Sequence, residues 1–355
     1  MTRPGKKTFT GGHMNPVYVH GTAVHKSWAD ESASLSDLIY RATQDALTAA
    51  ATDIDQIDSV VLSAHDLVDG RSLSSMVTAP AAGAYLKDEV RLGDDGAMAF
   101  VVGAARIRCG ESRRSLIAAY GRASEGDQDR ISNALFDPFF MRPLALTELS
   151  VAALRAGSAL GNYAEYSMWR DRASSLRVAQ AGGQPGARSA APYPLLDGEL
   201  PTWCDLVAVA VLSADPAPVR LRGVGMSTEP YQIGDRDLLA LPALRRASRQ
   251  AFEAGELTIE DVDVLEVDGL TLFDEALALE AVGAAATGAG MRALAERRDV
   301  NPDGGFAAGY CAPAMGLVRI CSAATRLMSS GAVALATGSS VVAAQSQTAV
   351  VLASA

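Results

Sequence analysis

The sequence predicts an α/β protein made of two like halves, from three observations. Segments with strand and helix periodicity alternate along most of the chain. A short stretch of the first half recurs in the second. Near the end, the glycine-studded run Asn301-Pro302-Asp303-Gly304-Gly305-Phe306-Ala307-Ala308-Gly309-Tyr310-Cys311-Ala312-Pro313-Ala314-Met315-Gly316 leads into an alanine-rich apolar helix, Leu317 to Met328. Alternation of this kind predicts a mainly parallel sheet covered by helices.

Val17 to Val24 is the first strand, rich in β-branched residues. Ser34 to Ala51 is an amphipathic helix, with Leu35, Leu38, Ile39, Ala42, Ala46 and Leu47 on one side. A connector, Thr52 to Asp58, precedes a buried strand, Ser59 to Ser63. Small residues from Ser72 to Tyr85 predict a helix, and Lys87 to Leu92 a short strand. Gly93-Asp94-Asp95-Gly96 opens another apolar helix, Ala97 to Cys109, and Ser115 to Tyr120 is a strand.

Residues 122–203 break the rhythm. Arginine, glycine and proline are frequent there, and helix-like pieces, Leu144 to Leu160 and Tyr163 to Ala179, stand beside the run Gly182-Gly183-Gln184-Pro185-Gly186. This is the composition of an insertion covering the top of the sheet. Strand Leu206 to Leu212 closes the first half. The expected division is residues 15–215 for that half and 216–355 for the second. Residues 1–14, polar and read as a tag or disordered segment, are set aside.

The repeat is local but collinear. Ile259-Glu260-Asp261-Val262-Asp263 matches Ile54-Asp55-Gln56-Ile57-Asp58, an offset of 205 from 259 minus 54. Ala332 to Gly338 matches Ser115 to Gly121, and Asp303-Gly304-Gly305, like Gly93-Asp94-Asp95-Gly96, precedes an apolar helix. Two halves so arranged predict a pseudo-two-fold, five-layered arrangement, with ligand chemistry where the two buried helix starts converge.

Composition narrows the function. The 355 residues give ample core, and with aromatics at 6% that core must be built of Ala, Val and Leu. A formal net charge of -10 argues against a nucleic-acid surface. Cys109, Cys204, Cys311 and Cys321 lack metal-ligand spacing, so no metal is expected and a reducing, cytoplasmic setting is. No apolar run suits a membrane span. Glycines at 304, 305 and 309 allow positive φ and close approach, as a loop shaped around a ligand requires. Tyr310 falls at or just before a helix start, where free N–H groups favour an oxygen nearby.

Several pieces then resemble, in order and spacing, the thiolase superfamily. They are the two connectors, the strand Asp205 to Ser213, Glu266-Val267-Asp268-Gly269 with Leu270, Asn301-Pro302-Asp303-Gly304-Gly305, and Gly309-Tyr310. The resemblance runs over about residues 16–353. It is to the bacterial thiolase-like lipid-transfer proteins related to sterol carrier protein thiolases. It implies a thiolase fold, with duplicated βαβαβαββ halves in α-β-α-β-α layers, usually dimeric, that holds acyl-CoA thioesters and makes or cleaves carbon–carbon bonds.

The departures from that family bear on mechanism. Where it carries a nucleophilic cysteine in a Cys-x-x-Gly turn, this chain has Gly93, so no acyl-enzyme forms there. Asp268 stands for one family histidine and Tyr310 for the other, with Cys311 in a proline's place. All four histidines, His13, His20, His25 and His65, fall in the N-terminal quarter, which leaves no imidazole base for the second half. Similar lipid-transfer members use tyrosines as acid and base, acting as retro-aldolases on CoA thioesters beside an OB-fold, zinc-ribbon chain. Tyr310 fits that pattern, whereas Asp268 replaces a tyrosine; an Asp desolvated beside Tyr310 remains able to act as a base. Cys311 is either a relocated nucleophile or a small filler. Asp94 and Asp95 either cap the helix or repel a CoA phosphate. Cys109 reads as a core cysteine.

Two functions follow. The first is a catalytically degenerate, non-classical subunit of a complex handling acyl-CoA or carrier-bound thioesters. It would form a homodimer, or a heterodimer with a thiolase-like paralogue, or bind an OB-fold, zinc-ribbon acyl-CoA-binding chain. Its tunnel would be filled by Phe306, Leu270 or Met315. The alternative is a retro-aldolase-type lyase or acyltransferase using Tyr310 as acid/base without a covalent intermediate, with an open tunnel reaching Tyr310. In both, a CoA thioester is the expected ligand, no cofactor is covalently bound, and Gly93, Asp94, Asp95, Gly304, Gly305 and Gly309 shape its site.

Overall fold

The computed structural model describes residues 14–28, 33–66, 75–182, 189–328, 331–340 and 342–355. The expected tag, His13, residues 72–74 of the second predicted helix and most of the Gly182–Gly186 run lie outside them.

Nine strands form one sheet: β1 (Tyr18–Ser27), β2 (Ser59–Ser63), β3 (Asp88–Leu92), β4 (Arg114–Arg122), β5 (Asp205–Ser213), β6 (Val219–Thr228), β7 (Val264–Glu266), β8 (Val333–Ser339) and β9 (Ser346–Ser354). Their order is β3-β2-β4-β5-β1-β6-β9-β8-β7. The two half-sheets meet only where Tyr18 and Val19 pair with Arg220 and Val219, and beyond that point β1 and β6 diverge. The expectation of a mainly parallel sheet is corrected. Only β2/β3, β2/β4 and β7/β8 run parallel. In each half the last strand returns antiparallel between its neighbours, β5 between β4 and β1 and β9 between β8 and β6.

The helices are α1 (Leu35–Ala49), α2 (Ser75–Ala81), α3 (Gly96–Arg108), α4 (Gln128–Leu135), α5 (Glu148–Asn162), α6 (Ala164–Gln180), α7 (Pro242–Gly255), α8 (Leu272–Ala281), α9 (Gly290–Glu296) and α10 (Met315–Leu327). Helices α3 and α10 are buried on nearly every side, α3 because it is apolar nearly all round and α10 although it carries Arg319 inward, and they pack on each other between the half-sheets. Amphipathic α1 covers β1 and β5 from outside, and α7 covers β6 and β9. The layers are therefore α1, first half-sheet, α3 with α10, second half-sheet, α7. Glycine permits the close outer packing: a Cβ at Gly21 in β1 would lie 2.4 Å from the Ala46 carbonyl oxygen of α1, and one at Gly223 in β6 1.9 Å from that of Ala251 in α7.

The halves differ in two ways. Residues 123–204, between β4 and β5, contain α4, α5 and α6, which pack over the second half through α8 and α9. The second half also has no full counterpart of β3. Its place is taken by one parallel bridge, Leu265 to Val300, beside β7. Cys109 is corrected too: it is the C-cap of α3 and exposed, because it falls one residue beyond the apolar run.

Candidate functional site

A narrow cavity of about 70 Å³ opens between the 123–204 insertion and the second half. Tyr310 and Asp268 both line it. Apolar walls come from Ile131, Leu135, Leu149, Leu241, Leu244 and Leu270.

Tyr310 is held by backbone. Its N–H donates to the Thr202 carbonyl (2.8 Å), its own carbonyl accepts from Cys204 N–H (3.2 Å), and it forms a parallel bridge with Trp203. The Trp203 and Tyr310 rings meet edge to face at 5.6 Å. The Tyr310 side chain is buried, and its hydroxyl makes no hydrogen bond to any described residue. Burial first, then the carboxyls of Asp268, Asp95, Glu148 and Asp274, push the phenol well above its ordinary range. Tyr310 thus keeps its proton through the neutral range.

Asp268 leaves the end of β7. Its N–H donates to Thr337 Oγ1 (2.8 Å), and its Oδ2 accepts from Ser339 N–H (3.1 Å) and Oγ–H (2.6 Å). Oδ1 has no hydrogen-bond partner among the described residues although the residue is only 7% exposed. Desolvation raises its pKa, against the lowering effect of the Ser339 hydrogen bonds and Arg319. A carboxylate with one idle oxygen and an elevated pKa is suited to accept a proton near neutrality. Asn301 fixes the strand it leaves, donating from Nδ2 to the Val267 carbonyl (2.9 Å) and accepting Val267 N–H at Oδ1 (2.8 Å).

Two residues of this cavity were not anticipated. Glu148, the first residue of α5, accepts Ala343 N–H at Oε1 (2.6 Å), and burial pushes its pKa up to about 8. Arg155, the cation of the lining, is already paired with Asp274 (3.0 Å) and donates to the Ala343 carbonyl. In sequence, Glu148 is an ordinary first-turn acid and gives no signal. Asp274 had a partial one, as Thr271 and Asp274 form the capping box of α8.

The other expected site residues fall elsewhere. The two buried helix starts do converge, but a side chain closes them. Asp95, the N-cap of α3, accepts the N–H of Ala97 (2.8 Å) and, from the start of α10, that of Gly316 (2.9 Å). A carboxyl group occupying both helix starts excludes a ligand anion from them, so the capping role of Asp95 holds. Gly93 is exposed, Asp94 accepts Asp95 N–H at Oδ1 (2.7 Å), and neither lines the cavity. Gly304 packs on Ala181, whereas Gly305 and Gly309 face a second cavity. Cys311 is buried and outside the lining although Tyr310 and Ala312 on either side belong to it, because side chains alternate in extended chain. This placement counts against its reading as a nucleophile. No cluster of three or more His, Cys, Asp or Glu suited to a metal occurs among the described residues, and none of their helices is long and apolar enough to cross a membrane.

Comparison with known proteins agrees with this architecture. Residues 225–353 match the family model described as thiolase C-terminal domain-like. Among solved structures, the Ltp2-ChsH2(DUF35) aldolase superposes with a TM-score of 0.77 at 16% identity, over 96% of this chain and 98% of that one. A monomeric SCP2-thiolase-like protein type 1 from Mycobacterium smegmatis gives 0.70 at 16%, over 96% and 77%. Human mitochondrial 3-ketoacyl-CoA thiolase gives 0.66 at 15%, over 97% and 100%. No curated protein sequence matches. The chain has the thiolase fold over nearly its whole length. Its residues 225–353 are similar, more particularly, to the thiolase C-terminal domain-like family.

Proposed function

We propose that the protein is a carbon–carbon lyase of retro-aldol type, acting on the thioester of a β-hydroxy acid without a covalent intermediate. The observation that supports it is the open cavity shared by Tyr310 and Asp268, with the phenol and one carboxylate oxygen both idle. Of the side chains expected to fill a degenerate tunnel, Phe306 is buried away from the cavity, Met315 faces the second one, and Leu270 forms wall. These placements favour the catalytic reading over the scaffold-subunit one.

Asp268 Oδ1 removes the proton of the β-hydroxyl. The carbon–carbon pair collapses toward the thioester as the hydroxyl carbon becomes a carbonyl, and Tyr310 delivers its proton to the enolate carbon. The proton on Asp268 then restores Tyr310 by way of solvent. Burial strengthens both hydrogen bonds to developing charge. The apolar walls suit the acyl chain. Since Arg155 is committed to Asp274, the described residues of the lining offer no unpaired cation for CoA phosphates. This favours a thioester presented at the mouth with help from a partner chain, of which an OB-fold, zinc-ribbon protein is the proposed kind.

The test is release of ketone or aldehyde from branched β-hydroxyacyl-CoA thioesters, by the purified chain alone and co-purified with such a partner. Cleavage should fall by about 10²–10⁴-fold in Tyr310→Phe and in Asp268→Asn, as expected on loss of an acid or base. Binding of acyl-CoA without cleavage, unaffected by either substitution, would return the protein to the scaffold reading.

A further inference from the structure

Where β1 parts from β6, the space between the half-sheets is filled by α10 and by the 303–309 loop, and a second cavity remains there, on another side of the loop that carries Tyr310. Its lining includes Lys26, Asp303, Gly305, Gly309, Arg319 and Ser322. The charges around it do not balance pair by pair. Arg326 is paired with Asp303 (2.6 Å), Arg177 with Glu275 (3.1 Å), and Arg319 with Glu266 at a loose 3.6 Å. Lys26 has no carboxylate within ion-pair distance among the described residues; its Nζ donates to the carbonyl of Ala308 (2.5 Å). Arg319 is only 3% exposed, yet its Nε and Nη2 have no hydrogen-bond partner among the described residues.

On one cavity stand Lys26, with no carboxylate in contact among the described residues, and the buried Arg319 with idle donors. Asp303 of the lining is taken by Arg326, and Glu266, its own oxygens without hydrogen bonds among the described residues, is shared at 3.6 Å between Arg319 and Arg326, which leaves room for a further anion. We propose that this cavity binds a small oxyanion, a carboxylate or a phosphate group, which pairs with Lys26 and takes the free donors of Arg319. Desolvation lowers the Lys26 pKa and the nearby Arg319 charge adds to this, against the raising effect of Cys204, Asp303 and Glu266; a bound anion would work in the same direction as these three. Glycines at 305 and 309, both at positive φ, let this loop pack directly on Glu275 and on Cys204 and Lys26, which holds the cavity's loop wall in place. The site is independent of the lyase reading, because none of these groups lines the Tyr310 cavity.

The experiment measures thermal unfolding of the full chain against inorganic phosphate, acetate and CoA, each compared with chloride at matched ionic strength. At a tenfold excess over Kd, a bound anion should raise Tm by about 2 °C. The rise should saturate, and it should vanish in Lys26→Met and survive in Lys26→Arg. Saturation by phosphate or acetate identifies a free anion as sufficient, and saturation by CoA alone identifies a phosphate carried on a larger ligand. A second readout works on the unmutated protein: acetylation of Lys26, followed by peptide mass spectrometry, should slow several-fold when the site is filled. A Tm response equal to that of chloride, or one unchanged in Lys26→Met, overturns the proposal, as does Lys26 acetylation indifferent to all three anions.

Discussion

The carboxylate of Asp95 accepts the backbone N–H of Gly316 at 2.9 Å, joining the starts of the two central helices across 221 positions of sequence. The same Oδ1 that accepts Ala97 N–H sits where side chains at 316 or 338 would lie, 1.8 and 2.2 Å from the Cβ positions of those glycines. One side chain thus ends both central helices and takes the space that a ligand oxygen would otherwise enter.

Asp95→Ala should therefore cost about 2–4 kcal/mol, because two buried N–H groups at helix starts lose their acceptor. Asp95→Asn, which keeps one acceptor oxygen, should cost less. Urea unfolding curves of the three proteins measure both, and equal midpoints would mean that the bridge is not formed in solution.

Cleavage by the proposed lyase should rise with pH as Asp268 ionises, with its midpoint above the usual carboxylate range because burial raises that pKa. No falling limb from Tyr310 is expected below pH 10, since its phenol is pushed upward. A pH profile of kcat/KM checks this, and in Asp268→Asn the rising limb should be gone.

Glu148 gives a stability prediction of the opposite sign to a salt-bridged acid. Its folded pKa, about 8, exceeds its value in the unfolded chain, so the folded state holds the extra proton between about 4.5 and 8. Its contribution to stability is whole below that window and is lost as pH rises through it. Relative to wild type, Glu148→Gln should become steadily more stable from pH 5 to 8 and level off above, as read from urea midpoints.

Arg177 and Glu275 are both fully buried, and Glu275 Oε1 also accepts Phe306 N–H at 3.0 Å, which ties the ion pair to the loop before Tyr310. Arg177→Met alone should destabilise by about 3–5 kcal/mol, because it strands a carboxylate in the core. The joint variant Arg177→Met, Glu275→Leu should recover part of that loss, and a double-mutant cycle measures how much.

Much of the fold was legible in the sequence because its signals are local. The span Ser59–Ser63 was read to the residue, and the 205-residue offset anticipated the duplicated halves. The direction of β5 and β9 was not, since an all-buried strand such as Asp205–Ser213 reads the same whether its neighbours run parallel or antiparallel. In the site, Tyr310 and Asp268 emerged from motif positions in the second half. Glu148 and Arg155 come from the insertion, where nothing local reveals which face of α5 meets the cavity. Gly305 and Gly309 were seen as loop glycines, but which of two cavities they face depends on where β1 and β6 separate.

The two ends of the sheet are sealed differently. At β7 the three-residue strand is bridged by Val300, whereas β3, Asp88–Leu92, presents an edge with no strand beside it among the described residues, near the exposed side chains of Tyr85 and Leu86. Backbone donors and acceptors in that row can recruit a strand from a neighbouring chain. Were two copies to pair along β3, the bridge at Val300 would leave a third no second open row to extend.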